Sequence, residues 1–107
     1  MIYLASPYSH PAKRVRARRY EEAVWAAGSL IVRRGEAVFS PIAHSHPIAE
    51  AARLDGTFSG VWAEMDLAII AICSEVVVLR LAGWEESKGI AAEIAEAQRL
   101  GIPVTYQ

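Results

Sequence analysis

Short apolar runs alternate along the chain with longer stretches of helical periodicity. Four such runs span Met1 to Ala5, Ala37 to Phe39, Glu75 to Leu81 and Ile102 to Tyr106. The first stops at Ser6-Pro7, and the third contains a row of β-branched valines. Runs this short, bounded by serine, proline or glycine, predict buried strands, and a continuous valine row is typical of a central parallel strand.

Three intervening stretches repeat apolar residues every three or four positions and predict amphipathic helices. They span about Ala12 to Arg34, Phe58 to Ile72 and Glu86 to Leu100. The predicted apolar faces are Tyr20, Ala23, Val24, Ala27, Leu30 and Ile31 on the first helix, and Phe58, Val61, Trp62, Met65, Ile69 and Ile72 on the second. The segment from Ile42 to Gly60 is first rich in histidine, then in alanine, and ends in glycine and serine. It predicts a loop with one short helix near Pro47 to Arg53.

This alternation of strand and helix predicts one α/β domain over residues 1–107, a small three-layer α/β/α sandwich. Right-handed crossovers favour a parallel sheet of about four strands in the order 2-1-3-4, flavodoxin-like or Rossmann-like. In that order the carboxyl ends of strands 1 and 3 open a crevice, the usual ligand site of such sheets. The segments Ser6 to His10 and Ala82 to Ser87 leave these strands and are the first places to look for chemistry.

The net charge and the cysteine content indicate which partners are excluded and which cellular compartment is expected. A net charge of −1 argues against polymeric nucleic acid and membrane as partners. The run Leu67 to Cys73 is too short to span a bilayer, and the first apolar run is too short for a signal peptide. Cys73 is the single cysteine, which excludes an internal disulfide and suits a reducing cytoplasm.

Composition also predicts self-association. A hydrophobic content of 53% is high for 107 residues. Trp25, Trp62 and Trp84 look exposed, so we expect a homodimer or higher homo-oligomer to cover part of this surface.

Two carboxylates stand out on the predicted helices. At about 100° per residue, Glu93 falls on the buried arc of the last helix with Ile90 and Ala97. A carboxylate facing a sheet is costly unless it is paired, protonated or in a cavity. The alternative is an edge glutamate whose head reaches water. Asp66 lies at the flank of its helix's buried face, where it is either solvated or joins Glu93 in dividing nucleophilic and acid/base roles.

The predicted crevice gathers further candidates for ligand binding. Ser87 suits a helix N-cap, and Gly89 lets an anion approach the first turn closely. The other candidate binding residues are Tyr3, Ser6, Tyr8, Arg14, Arg19, His44 and Trp84. An arginine could form a bidentate hydrogen bond with a phosphate, and an aromatic ring could stack on a base. The alternatives are that the arginines are solvent-exposed and that the aromatic rings pack in the core.

His44 and His46 have a spacing that can bind metal. Two histidines fall short of the usual number of protein ligands, and no third ligand can be named. We therefore predict no metal site and favour a role in lining the pocket.

The motif Tyr3-Leu4-Ala5-Ser6-Pro7-Tyr8 resembles the opening strand and turn of nucleoside 2-deoxyribosyltransferases. The stretch Glu75 to Leu79, followed by Glu86 to Glu93, resembles their strand, glycine-containing turn and glutamate-bearing helix. Asp66 matches the aspartate of that superfamily beside the substrate. The segment Phe39 to His46 is similar to a poorly characterised bacterial and phage branch, and the resemblance covers most of the chain.

This resemblance implies an N-glycosidase or deoxyribosyltransferase that needs no cofactor and acts on a small nucleoside or nucleotide. Glu93 would be the nucleophile and Asp66 would protonate or orient the base. Tyr8 would shape the sugar pocket or orient Glu93, and Ser87 and Gly89 would contact a 5′-phosphate. Lys88 and Ile90 differ from the pattern of the transferases, which favours hydrolysis of a monophosphate.

Two other classes of function stay open from the residues alone. One is a non-catalytic nucleotide sensor of the same fold. The other is an interaction module in which Glu93 is exposed.

Overall fold

Four parallel strands form the central sheet in the order β2-β1-β3-β4. The computed structural model describes residues 1–107, and its strands are β1 (Ile2–Ala5), β2 (Val38–Phe39), β3 (Glu75–Val78) and β4 (Val104–Tyr106). Tyr3 of β1 is in register with Val76 of β3. The predicted fold class, a three-layer α/β/α sandwich with strand order 2-1-3-4, is confirmed.

Four helices surround this sheet. They are α1 (Lys13–Arg34), α2 (Pro41–Ala52), α3 (Ser59–Ile70) and α4 (Lys88–Arg99), with short 3-10 turns at Gly56–Phe58 and Trp84–Glu86. None of the helices is both long enough and apolar enough to cross a bilayer.

The core consists of two apolar clusters, one on each side of the sheet. Because successive strand residues point to opposite faces, β1 contributes alternate side chains to each cluster. Tyr3 and Ala5 face α3 and α4, together with Ile70, Cys73, Val76, Val78, Ile90 and Ala97. Ile2 and Leu4 face α1, together with Ala26, Leu30, Val77 and Leu79. This division places the side chain of Tyr3 on the α4 side of the sheet.

Helix α2 begins earlier than the sequence pattern predicts. Ser40 caps it by accepting a hydrogen bond from the Ala43 amide at 3.2 Å, and Pro41 occupies the first turn. A proline is compatible with that position because its missing N–H would have had no helical partner. The prediction of a loop from Ile42 onward was wrong because Ser40-Pro41 is a helix start as well as a strand end.

The buried faces of α1 and α3 are also rotated from the predicted ones. On α1 the buried line is Ala23, Ala26 and Leu30, whereas Val24 and Ile31 are exposed. On α3 the fully buried residue is Ile70, and Val61 is exposed. Alanines allow α1 to pack closely on the sheet, and α3 is apolar on most of its circumference, so periodicity does not fix its orientation.

Candidate active site

Glu93 lies in the interior, on the face of α4 that packs against the sheet. Ser87 starts this helix by accepting a hydrogen bond from the Ile90 amide at 3.2 Å. From that start, Ile90, Glu93 and Ala97 follow one another along the buried face. Glu93 is 7% exposed. The predicted orientation of this side chain is confirmed, and its catalytic role stays a prediction.

The partner of Glu93 is Tyr3 on β1. The Tyr3 hydroxyl donates a hydrogen bond to Glu93 Oε2, and Tyr3 itself is completely buried. Burial raises the pKa of Tyr3, and the nearby Glu93 carboxylate raises it further. The phenol therefore stays protonated and is held as a donor to the carboxyl group.

Asp66 on α3 is the second carboxyl group of this site. Its Oδ1 atom is buried without a hydrogen-bond partner. Burial raises the pKa of Asp66 from 3.8 to about 6. The charge of Asp66 also raises the pKa values of Glu93 and Tyr3, which places the three groups in one electrostatic cluster.

Burial is the main reason that Glu93 is hard to ionise. It raises the pKa of Glu93 from 4.5 to about 8, the charge of Asp66 acts in the same direction, and the hydrogen bond from Tyr3 opposes both. Because the two carboxyl groups interact, they titrate as a pair. Between about pH 6 and about pH 8 this pair holds one proton.

Gly89 lies directly beside the Glu93 carboxyl group. It is an exposed residue in the first turn of α4. A Cβ atom at this position would lie 3.8 Å from Ser87 Oγ and 4.0 Å from Glu93 Oε1. The cap hydroxyl and the carboxylate therefore border the same small space, which the glycine leaves free of side chain.

Ser6 directly follows β1 and has a second unpartnered polar atom. Its Oγ is buried without a hydrogen-bond partner, as is Asp66 Oδ1. An unsatisfied buried polar group costs about 1–3 kcal/mol, so native proteins keep few of them without a use. These two oxygens are therefore candidate contacts for a polar ligand.

Tyr8 belongs to a different cluster from Glu93. Its hydroxyl lies 2.6 Å from His46 Nδ1, and the His46 ring stacks on Tyr20 at 4.3 Å. Burial raises the pKa of Tyr8. The residue that holds Glu93 is therefore Tyr3 and not Tyr8, while Tyr8 can still line the crevice with His46.

The two candidate arginines have different surroundings. Arg19 donates hydrogen bonds to the carbonyl oxygens of Tyr8, Ser9 and Ala82 at 3.3, 3.0 and 3.1 Å. Its guanidinium joins the loops that follow β1 and β3, and its role as a phosphate ligand stays a prediction. Arg14 is exposed and makes no hydrogen bond or ion pair.

His44 and Trp84 border the site at different places. His44 is exposed between Phe39 at 6.0 Å and Trp62 at 6.1 Å, which gives an aromatic edge beyond β2. Trp84 is half-buried against the α4-side core and Tyr106, with the two rings 5.8 Å apart. No group of three or more His, Cys, Asp or Glu side chains is arranged to hold a metal ion.

Sequence reasoning missed His46 as the partner of Tyr8, together with Phe39 and Trp62 beside His44. The sequence pattern placed Phe39 on a strand and Trp62 on a helix, but it did not indicate that either side chain lies beside His44. The contacts join residues from β1, β2, α2 and α3, and no spacing along the chain specifies them.

The fold and this cluster define a doubly wound α/β protein with a buried, tyrosine-bound glutamic acid on the helix that follows its third strand. The chain belongs to the family described as a domain of unknown function (DUF1937), whose model matches residues 1–107. No curated protein matches the sequence.

Proposed function

We propose that this protein cleaves the N-glycosidic bond of a (deoxy)nucleoside or nucleoside 5′-monophosphate through a glutamyl-sugar intermediate on Glu93. The observation that carries the proposal is the buried Glu93 carboxyl group, bound by Tyr3 and coupled to Asp66. Two carboxyl groups in unlike surroundings can divide nucleophilic and acid/base work.

In the first step a Glu93 carboxylate oxygen attacks the anomeric carbon of the sugar. A C–O ester bond forms, the C–N bond to the base breaks, and its electron pair leaves with the base. At neutral pH the single proton of the pair is on Glu93, whose pKa is the higher of the two. This proton moves to Asp66 when the substrate binds, which leaves Glu93 ionised for attack and lets Asp66 protonate the departing base. The Tyr3 hydroxyl keeps the attacking carboxylate in position.

In the second step water attacks the same carbon and the ester bond to Glu93 breaks. The proton released by water returns to the carboxyl pair, which restores the starting state. If a second base replaces water, the same intermediate gives transfer instead of hydrolysis. The anomeric carbon undergoes two substitutions, each with inversion, so its configuration is retained overall.

The start of α4 supplies the site for a 5′-phosphate. The first-turn amides of a helix and its positive dipole end attract anions. Gly89 allows close approach, and Ser87 and the exposed Lys88 flank the same turn. These features favour a nucleoside monophosphate as substrate.

The pH dependence of turnover follows from the proton count. A singly protonated carboxyl pair exists between the pKa of Asp66, about 6, and that of Glu93, about 8. We expect kcat/KM to be bell-shaped with its maximum near neutral pH, falling on both sides. A profile that is flat across this range contradicts the shared-proton mechanism.

Release of free base, measured by chromatography on a panel of nucleosides and their monophosphates, tests the proposal. We expect Glu93→Gln to reduce release roughly a thousandfold or more. Glu96→Gln is the matched control, because Glu96 is on the same helix but pairs with Arg99 at 2.5 Å. Equal turnover by the Glu93 and Glu96 variants would refute the assignment.

The same panel separates catalysis from sensing. A nucleotide sensor of this fold would gain thermal stability from a ligand without releasing its base.

The cytoplasm is the compartment we propose, because Cys73 is a free, buried thiol.

A further inference from the structure

The outward side of α1 carries an exposed apolar surface, here called the α1 patch. It consists of Val24, Trp25, Gly28, Ile31 and Val32. Trp25 is 76% exposed and Val32 is 85% exposed. A contiguous apolar surface of this kind on a helix face marks a site of association.

A groove beside the α1 patch shows that the helix layer on this side of the sheet is incomplete. The groove has a volume of about 480 Å³. It is lined by Glu21, Glu22, Trp25 and Ala26 of α1 and by Leu79, Leu81 and Gln107 just beyond the ends of β3 and β4. Thr105 of β4 is exposed on this side, whereas α3 and α4 cover the other face. The protein therefore has room for a further helix next to α1.

The charges at the two ends of the α1 patch are opposite. Glu21 and Glu22 precede it, and neither forms an ion pair. Arg33 follows it and donates its one hydrogen bond to the neutral side chain of Gln107 at 2.7 Å. An antiparallel partner helix would place each Glu22 near the partner's Arg33, whereas a parallel one would bring like charges together.

Gly28 lies midway between these ends, where two such helices would cross. A Cβ atom at Gly28 would meet nothing within 4 Å, so the space above the backbone is open. Glycine at a crossing point lets two backbones approach closely. With Gly28 on the symmetry axis, Trp25 lies opposite the partner's Ile31, and Val24 lies opposite the partner's Val32.

We infer that a second copy of this chain docks on the α1 patch through antiparallel, two-fold pairing of the α1 helices. The inference is independent of the proposed enzymatic function, because Glu93 and its partners lie on the other side of the sheet. In a two-fold contact the same surface of both copies is used, and the assembly closes with two copies. The acidic end of each α1 patch then meets the basic end of the other.

Sedimentation equilibrium of the wild type and of two valine variants tests the surface. The wild type is expected at twice its 11.7 kDa chain mass. Val32→Glu is expected to weaken dimerisation at least about a hundredfold, because the symmetric contact then buries two unpaired charges. Val61→Glu, at a valine 62% exposed on α3, is the control and should leave the dimer intact. A monomeric wild type, or a Val32→Glu dimer as stable as the wild type, overturns the inference.

Charge exchange and cross-linking test the orientation. Glu22→Arg and Arg33→Glu should each weaken the dimer, and the double variant should restore it. Oxidised Gly28→Cys should form a covalent dimer, since a disulfide requires Cα atoms within about 7 Å. Gly60→Cys, at an equally open glycine on α3, should not. A double variant weaker than either single one, or equal cross-linking at both glycines, contradicts antiparallel pairing.

Discussion

Glu93 lies between α4 and the sheet, where a charged carboxylate has lost most of its hydration. Its single hydrogen bond, from Tyr3, offsets only part of that loss, and its pKa is accordingly raised. An apolar residue would serve packing better at this position. A buried acid with an unpartnered aspartate beside it is the arrangement expected of a site that holds and moves a proton.

The raised pKa values predict that this protein loses stability as pH rises. The folded state holds protons on Asp66 up to about pH 6 and on Glu93 up to about pH 8, whereas the unfolded chain releases them near 3.8 and 4.5. This stabilisation is therefore complete below the lower values and is lost as pH rises through the higher ones. We expect denaturant melts to show decreasing free energy of unfolding from about pH 5 to about pH 9.

Glu93→Gln isolates the contribution of the buried glutamate to that slope. The amide keeps an acceptor for Tyr3 but cannot ionise, so the variant should be more stable than the wild type at alkaline pH, by on the order of 5 kcal/mol. Glu96→Gln should keep the wild-type slope. Wild-type stability that is constant or rises over this range contradicts the burial of a protonated acid.

Tyr3→Phe tests the hydrogen bond that lowers the pKa of Glu93. Without it, the alkaline limb of the pH–rate profile should move to higher pH, and kcat should fall roughly tenfold to a hundredfold as the carboxylate loses its orientation. Tyr8→Phe is the control, because that hydroxyl pairs with His46 and not with Glu93. An unchanged alkaline limb in Tyr3→Phe would show that the phenol does not act on the carboxyl group.

At the scale of elements, Arg19 links the loops that leave β1 and β3. Its guanidinium binds carbonyl oxygens of both loops and lies over Gly83, where a Cβ would come within 2.7 Å of Arg19 Nη2. Gly83 also has a φ of 90°, which L residues rarely adopt. The geometry of the crevice thus depends on one arginine and on the absence of a side chain at one position.

Gly83→Ala should cost more stability than Gly101→Ala. Both positions have positive φ, so each substitution is expected to cost about 1 kcal/mol in backbone strain. A side chain at Gly83 also displaces Arg19 from Ala82, which adds about 1 kcal/mol, whereas a Cβ at Gly101 meets nothing within 4 Å. Equal melting temperatures for the two variants would show that the Arg19 contacts add no stability.

The elements themselves followed from the sequence to different degrees. The four strands and the order of the sheet could be predicted, because short apolar runs between helices permit few parallel arrangements. The start of α2 could not be predicted, because Ser40-Pro41 is typical both of the end of a strand and of the start of a helix. The orientation of α1 was also hidden, because small alanines and not the large Val24 and Ile31 face the sheet.

At the scale of the whole molecule, the site depends on contacts between residues far apart in the chain. Helical spacing predicted Glu93 facing the sheet, with Ser87 and Gly89 at the helix start. The Tyr3–Glu93 hydrogen bond joins residues 90 positions apart and depends on which face of β1 carries Tyr3. The Tyr8–His46 pair likewise required the true position of α2. The resemblance had offered Tyr8, and not Tyr3, as a residue that could orient Glu93.

The proposed mechanism requires that Glu93 becomes covalently attached to the sugar. Intact-protein mass spectrometry on reactions quenched with acid during turnover of nucleosides and their monophosphates measures this directly, with peptide mapping to locate the adduct. We expect the added mass of one sugar, or one sugar phosphate, on the peptide containing Glu93, and none in Glu93→Gln. Turnover by the wild type with no adduct at Glu93, or with the adduct on another residue, would contradict it.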